Sequence, residues 1–68
     1  MSEAAKRALI DAPSSTVGTR VGRISVIGPE VDSELYRAGI IGLNGGLTVS
    51  GSITRDRVVI EALDRAFQ

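Results

Sequence analysis

The stretch that decides the predicted fold is IIGLNGGLTV, residues 40–49. Two short apolar runs flank an Asn-Gly pair at positions 44–45, and this pair is the preferred centre of a two-residue type I′ turn with positive φ at both residues. A two-residue loop sets Ile41 opposite Thr48. The stretch therefore predicts a β-hairpin. Because strands of about four residues are not stable alone, the hairpin must pack against other elements.

Helices are predicted on both sides of this hairpin. A short one runs from Ser2 to Ala12, with Ser2 as its N-cap. A second runs from about Glu30 to Ala38 and follows a proline, which suits the first position of a helix. The longest runs from Val49 to Phe67 and has a broad apolar face at helical spacing. Thr48 and Ser52 are both suitable N-caps for it, and the sequence does not choose between them.

A further strand is predicted from Arg20 to Ile27, because β-branched residues there alternate with polar ones. The order is therefore helix–strand–helix–β-hairpin–helix. This order predicts a small α+β fold in which a three-stranded sheet packs against two or three helices. The predicted core contains the apolar residues Leu9, Ile24, Val26, Val31, Leu35, Ile40, Leu47, Ile53, Ile60, Leu63 and Phe67.

Length and composition exclude several classes of protein. A chain of 68 residues and 7.1 kDa forms one small domain, residues 1–68. It has neither cysteine nor histidine, so disulfides, Cys/His zinc sites and His-dependent nucleophiles are excluded. The sequence contains neither a membrane-length apolar run nor a signal-peptide pattern, so a cytoplasmic protein without a membrane partner is expected.

The sequence gives no indication of an enzyme. The acidic residues Glu30, Asp32 and Glu34 lie in the first half of a predicted helix, where they complement the helix dipole. The glycine-rich stretch 39–51 lacks the lysine of a phosphate-binding loop. We therefore expect a non-enzymatic protein with no cofactor and no bound metal.

One part of the chain resembles a known family. Leu35 is followed by Gly39-Ile40-Ile41, then by the Asn-Gly turn, and then by LTVSG at residues 47–51. This succession is similar to the second half of a winged-helix (winged helix-turn-helix) DNA-binding domain, where a helix leads into a two-stranded wing and a Leu-Thr-x-x-Gly step opens the last helix. The resemblance covers about a third of the chain. It implies a small winged-helix-like regulator of transcription, of prokaryotic, plasmid or phage type, that binds double-stranded DNA.

Two functions follow as alternatives. The first is DNA binding through the helix before the wing or through the wing itself. The second is a protein–protein interaction module, an inhibitor or adaptor, built on the same small fold. DNA binding is the leading prediction, because the wing pattern favours it. The formal net charge of +0 and the acidic helix favour the second function, because a DNA-binding face is usually basic. The candidate DNA contacts are Arg20, Arg23, Arg37, Asn44, Arg55 and Arg57.

The last helix also predicts a homodimer. Its apolar residues cover more than one narrow stripe, and a small domain without disulfide or metal is often stabilised by pairing two copies. A symmetric interface would bury the same residues on both copies. The candidate interface residues are Val59, Leu63 and Phe67.

Overall fold

A computed structural model describes residues 1–67, and helices dominate it. The helices are α1 (Glu3–Ile10), α2 (Ile24–Ile27), α3 (Pro29–Arg37) and α4 (Val49–Ala66). Of residues 1–67, 58% are helical and 6% are strand or bridge, and these residues contain no sheet. The predicted α+β class with a three-stranded sheet, and with it the winged-helix-like architecture, is therefore wrong. All three predicted helices are present.

The predicted strand Arg20–Ile27 is reduced to one bridging residue. Arg20 pairs with Gly46, whereas residues 24–27 coil into α2. From residue 22 to residue 27, no backbone hydrogen bond joins this segment to a distant part of residues 1–67. Two N–H groups of α2 donate instead to the carbonyl of Arg23, at 2.8 and 3.0 Å. Because unpaired backbone groups are costly, β-branched residues without a neighbouring strand form a turn that satisfies its own hydrogen bonds.

The chain reverses through a bulged three-residue loop rather than a type I′ turn. Gly45 has a φ of 79°, but Asn44 does not have positive φ. The Gly45 N–H donates to the Gly42 carbonyl at 3.0 Å, and the Gly42 N–H donates to the Gly46 carbonyl at 2.9 Å. This is the pattern of a type I turn followed by a left-handed glycine.

The extra loop residue shifts the register of the hairpin by one. Ile41 lies opposite Leu47 instead of Thr48. A one-residue shift exchanges the two faces of a strand, and here it leaves Ile41 and Leu47 both buried. Leu43 becomes part of the loop and is 93% exposed.

Side-chain caps begin the two main helices. The Ser2 Oγ accepts a hydrogen bond from the Ala5 N–H at 3.1 Å, which confirms the predicted N-cap of α1. Thr48, rather than Ser52, is the N-cap of α4 and accepts from the Gly51 N–H at 3.0 Å. The Thr48 hydroxyl also donates to the Gly39 carbonyl, so the same residue fixes α4 to the end of α3.

The core lies where α1 packs against α3 and α4, with the hairpin segment between them. Leu9, Leu35 and Leu47 are its largest fully buried side chains. The inward face of α4 contributes Gly51 and Val58. Partly buried Ile27 and Val31 pack against the cluster, whose buried members are Ala5, Ala8, Leu9, Val21, Leu35, Ile40, Ile41, Leu47 and Val58.

Six residues of the predicted core are exposed. Two follow from the missing strand, because α2 turns Ile24 and Val26 outward. The other four lie on α4 and at its C-cap. α4 packs on the core through Gly51 and Val58, so these four side chains lie on the opposite face. The exposed six are Ile24, Val26, Ile53, Ile60, Leu63 and Phe67. Among residues 1–67, no helix has the length and apolar character needed to cross a membrane.

A pH-sensitive contact joins the start of α1 to α3. The Ser2 hydroxyl donates to Glu34 Oε1 at 2.7 Å and the Ser2 N–H donates to Oε2 at 2.8 Å. These bonds favour the carboxylate and lower the pKa of Glu34 below its ordinary value of 4.5. Because the pKa is lowered in the folded chain, the stabilisation is fully present above pH 4.5 and is lost as the pH falls through the folded pKa.

We therefore expect the melting temperature of the wild type to exceed that of Glu34→Gln above this pH, and the difference to shrink on acidification. Thermal unfolding followed by circular dichroism at a series of pH values measures it. Glu30→Gln, one turn earlier on the same helix, is the matched control, since it leaves both Ser2 bonds in place. A difference between wild type and Glu34→Gln that is independent of pH would contradict the assignment.

Candidate interaction surfaces

The hairpin loop and the start of α2 form one continuous surface. We call it the turn surface and define it by Arg20, Arg23, Ile24, Leu43 and Asn44. These residues line a single shallow depression. Three of the six candidate DNA contacts therefore lie together, although they come from segments more than twenty residues apart.

Hydrogen bonds hold the turn surface in shape. The Arg20 guanidinium donates to the Asn44 carbonyl at 3.2 Å. The Asn44 side-chain oxygen accepts from the Gly46 N–H at 3.0 Å, which closes the loop from inside. With the loop fixed at both points, Leu43 has no place in the core and projects into solvent.

Apolar side chains lie beside Leu43 on this side of the molecule. Ile24 lines the same depression as Leu43 and is more than half exposed. Tyr36 lies on α3 and shares a second depression with Leu43. Monomers rarely expose several large apolar residues side by side unless the patch binds something. Leu43, Ile24 and Tyr36 were not among the candidate site residues, and the available signal was a leucine placed directly before an Asn-Gly turn.

Carboxylates lie beside the arginines of this region. Asp32 lines the same depression as Arg20 and Arg23. On the neighbouring face of α3, Arg37 shares a groove with Glu30 and Glu34. Arginines that lie beside carboxylates do not form the basic face that binds a phosphate backbone.

The remaining candidate DNA contacts are dispersed. Arg55 is half-buried, and its guanidinium donates to the carbonyls of Leu9 and Ala12 at 3.2 and 2.9 Å. It therefore fixes the end of α1 to α4 and is not presented to a ligand. Arg57 is exposed on the outer face of α4, and Arg37 ends α3. The structure groups none of these three with the turn surface.

A second apolar surface runs along α4. We call it the C-terminal stripe and define it by Val49, Ile53, Ile60, Leu63 and Phe67, each of which is more than half exposed. It contains two of the three predicted dimer residues, and the third, Val59, lies at its edge and is half-buried.

Within residues 1–67, no group of three or more metal-ligating side chains comes together. Comparison with protein-family models, with curated proteins and with solved structures finds no match to this chain. The two apolar surfaces are therefore the features from which a function is inferred.

Proposed function

We propose that this chain is a non-enzymatic protein-interaction module that binds a partner protein through the turn surface. The observation that carries the proposal is Leu43, a large apolar side chain that is 93% exposed and held at the tip of a hydrogen-bonded loop. A rigid apolar anchor loses little conformational freedom on binding, and such anchors dominate the energy of protein interfaces.

The surroundings of Leu43 favour a protein partner. Interfaces combine an apolar centre with aromatic and arginine side chains, and here Tyr36, Arg20 and Arg23 lie around the Leu43 anchor. The two guanidinium groups suit carboxylates at the rim of the partner site. We infer that the partner presents an apolar pocket for Leu43 with acidic residues beside it.

The experiment is a selection of random displayed peptides against the folded chain. Peptides that combine large apolar residues with Asp or Glu are expected to be enriched. Leu43→Asp should weaken their binding by roughly tenfold or more, as expected for loss of an anchor residue. Peptides that bind Leu43→Asp as tightly as the wild type would contradict the proposal.

Two matched variants locate the binding site. Leu63→Asp makes the same change on the C-terminal stripe and should leave peptide binding unchanged. Arg57→Ala removes an arginine outside the turn surface, whereas Arg20→Ala and Arg23→Ala remove those inside it. Only Arg20→Ala and Arg23→Ala are expected to weaken the binding of peptides that contain Asp or Glu. Equal effects of all three arginine variants would indicate long-range charge rather than a site.

We keep DNA binding, the leading prediction from the sequence, as a second candidate, because Arg20, Arg23 and Asn44 line one depression. Fluorescence anisotropy with a random duplex of about 30 base pairs tests it. Affinity that falls steeply between about 50 mM and about 200 mM salt, and that is reduced by Arg20→Ala and Arg23→Ala, would favour DNA over a protein partner. Duplex binding that ignores both variants would exclude the turn surface as the DNA site.

A further inference from the structure

We propose that two copies of this chain pair through the C-terminal stripe, with the two α4 helices antiparallel. The proposal is independent of the turn surface and its ligand. It starts from the unusual packing of α4 on its own domain.

α4 buries a glycine and a valine in the core, whereas its isoleucines and its leucine face solvent. Successive residues of a helix are about 100° apart, so the stripe residues fall within a sector of roughly 80°. Gly51 and Val58, the buried residues of α4, lie on the opposite side. A helix that served only its own core would have the reverse arrangement, with the large apolar residues inward.

The spacing of the stripe suits a partner helix. The stripe residues follow one another at intervals of four, seven, three and four residues, which is a heptad pattern with position 56 in the gap. Val49 to Phe67 spans about 27 Å of helix. The five side chains of the stripe together with Val59, at roughly 100 Å² each on both copies, give about 1,200 Å². This area is at the lower end of stable interfaces and indicates a dimer that forms at micromolar concentrations.

The charge of Asp56, which interrupts the stripe, favours the antiparallel orientation. Asp56 occupies the gap in the heptad pattern and is exposed. In a parallel pair, Asp56 would face Asp56 of the partner subunit inside the apolar contact, which is repulsive. A full antiparallel overlap places the two-fold axis near residue 58. It separates the two carboxylates by about 6 Å along the helices, whereas a parallel pair sets them at the same height.

Sedimentation equilibrium from about 5 µM to about 1 mM measures the association. The mass is expected to rise from 7.1 kDa to twice that value and to stop there, because a two-fold interface is closed. A mass of 7.1 kDa at the highest concentration would overturn the proposal, and so would growth beyond the dimer.

Variants identify the surface. Ile60→Asp should weaken dimerisation by roughly tenfold or more, because it buries a charge in the contact. Leu63→Gln is a milder second variant. Circular dichroism checks the fold of both variants, and both are expected to remain folded because these side chains are exposed in the monomer. Leu43→Asp is the control and should dimerise like the wild type. Loss of the dimer in Leu43→Asp alone would assign the contact to the turn surface and overturn the proposal.

Mixing a variant with the wild type tests the orientation. In a parallel pair, the lysine of Asp56→Lys would face Asp56 of the wild-type partner subunit, so the mixed dimer would be strongly preferred over both homodimers. In the antiparallel pair these groups are about 6 Å apart along the helices, and native mass spectrometry should show at most about a twofold preference for the mixed dimer. A mixed dimer preferred by roughly tenfold or more would contradict the antiparallel arrangement.

Discussion

Gly51→Ala is expected to destabilise the fold by about 2–3 kcal/mol, although alanine is the better helix former. Gly51 is buried in the first turn of α4, which crosses directly over Ile40. A Cβ added at Gly51 would lie 2.7 Å from the Ile40 carbonyl carbon and closer still to its oxygen. This carbonyl accepts the Thr48 N–H at 3.0 Å, so moving it aside would break the bond that joins the hairpin to α4.

The effect is large relative to the stability of the protein. A domain of this size has a free energy of unfolding of roughly 3–10 kcal/mol, so this one methyl group removes a substantial part of it. Urea denaturation gives the difference directly. Ser50→Ala, in the same helical turn but exposed, is the matched control and should change the free energy of unfolding by less than about 0.5 kcal/mol. A Gly51→Ala variant more stable than the wild type would show that the helix does not cross Ile40 this closely.

Leu35→Ala is expected to leave the chain largely unfolded at room temperature. Leu35 has no exposed surface, and it belongs to the cluster in which α1 packs against α3. Its carbonyl also accepts the Ile40 N–H at 3.0 Å, so the residue holds the start of the hairpin as well as the core. Removing a buried leucine side chain to alanine costs about 2–5 kcal/mol, which is comparable to the whole stability of so small a domain.

Two control variants show whether the loss of stability comes from the buried position and the volume of the Leu35 side chain. Leu35→Met keeps the volume and should cost less than about 1.5 kcal/mol. Leu43→Ala makes the same deletion in a side chain that is 93% exposed, and the melting temperature should barely change. If Leu35→Ala and Leu43→Ala had equal melting temperatures, the assignment of the core would be wrong.

The main helices were determined by the sequence itself, although the sequence left both Thr48 and Ser52 as N-caps for α4. Ser2 caps α1 and Thr48 caps α4 through hydrogen bonds to residues three positions later. Pro29 opens α3, as its missing N–H allows. Interactions of this kind span only a few residues, so the local sequence contains all the atoms that decide them.

The candidate surfaces were only partly predictable. Arg20, Arg23 and Asn44 were identified as polar contacts from their residue types, but nothing in their sequence positions shows that they share a depression. Arg55 has the same residue type and is instead bonded to two carbonyls of the α1 segment, more than forty residues away. A side chain's availability for binding depends on what it meets across the fold.

Only the tertiary structure decided that the predicted sheet does not form and which face of α4 packs on the core. The β-branched run at 24–27 has the local preference of a strand, yet no second strand lies beside it and it forms a helical turn. The hairpin register differs by one residue from the predicted register. Only Gly45, and not Asn44, has positive φ, so the loop has three residues instead of two. In α4, the isoleucines and Leu63 line the exposed face, whereas Gly51 and Val58 face the core. The close approach of Gly51 to Ile40 selects the small face for the core, because only a residue without a Cβ fits there.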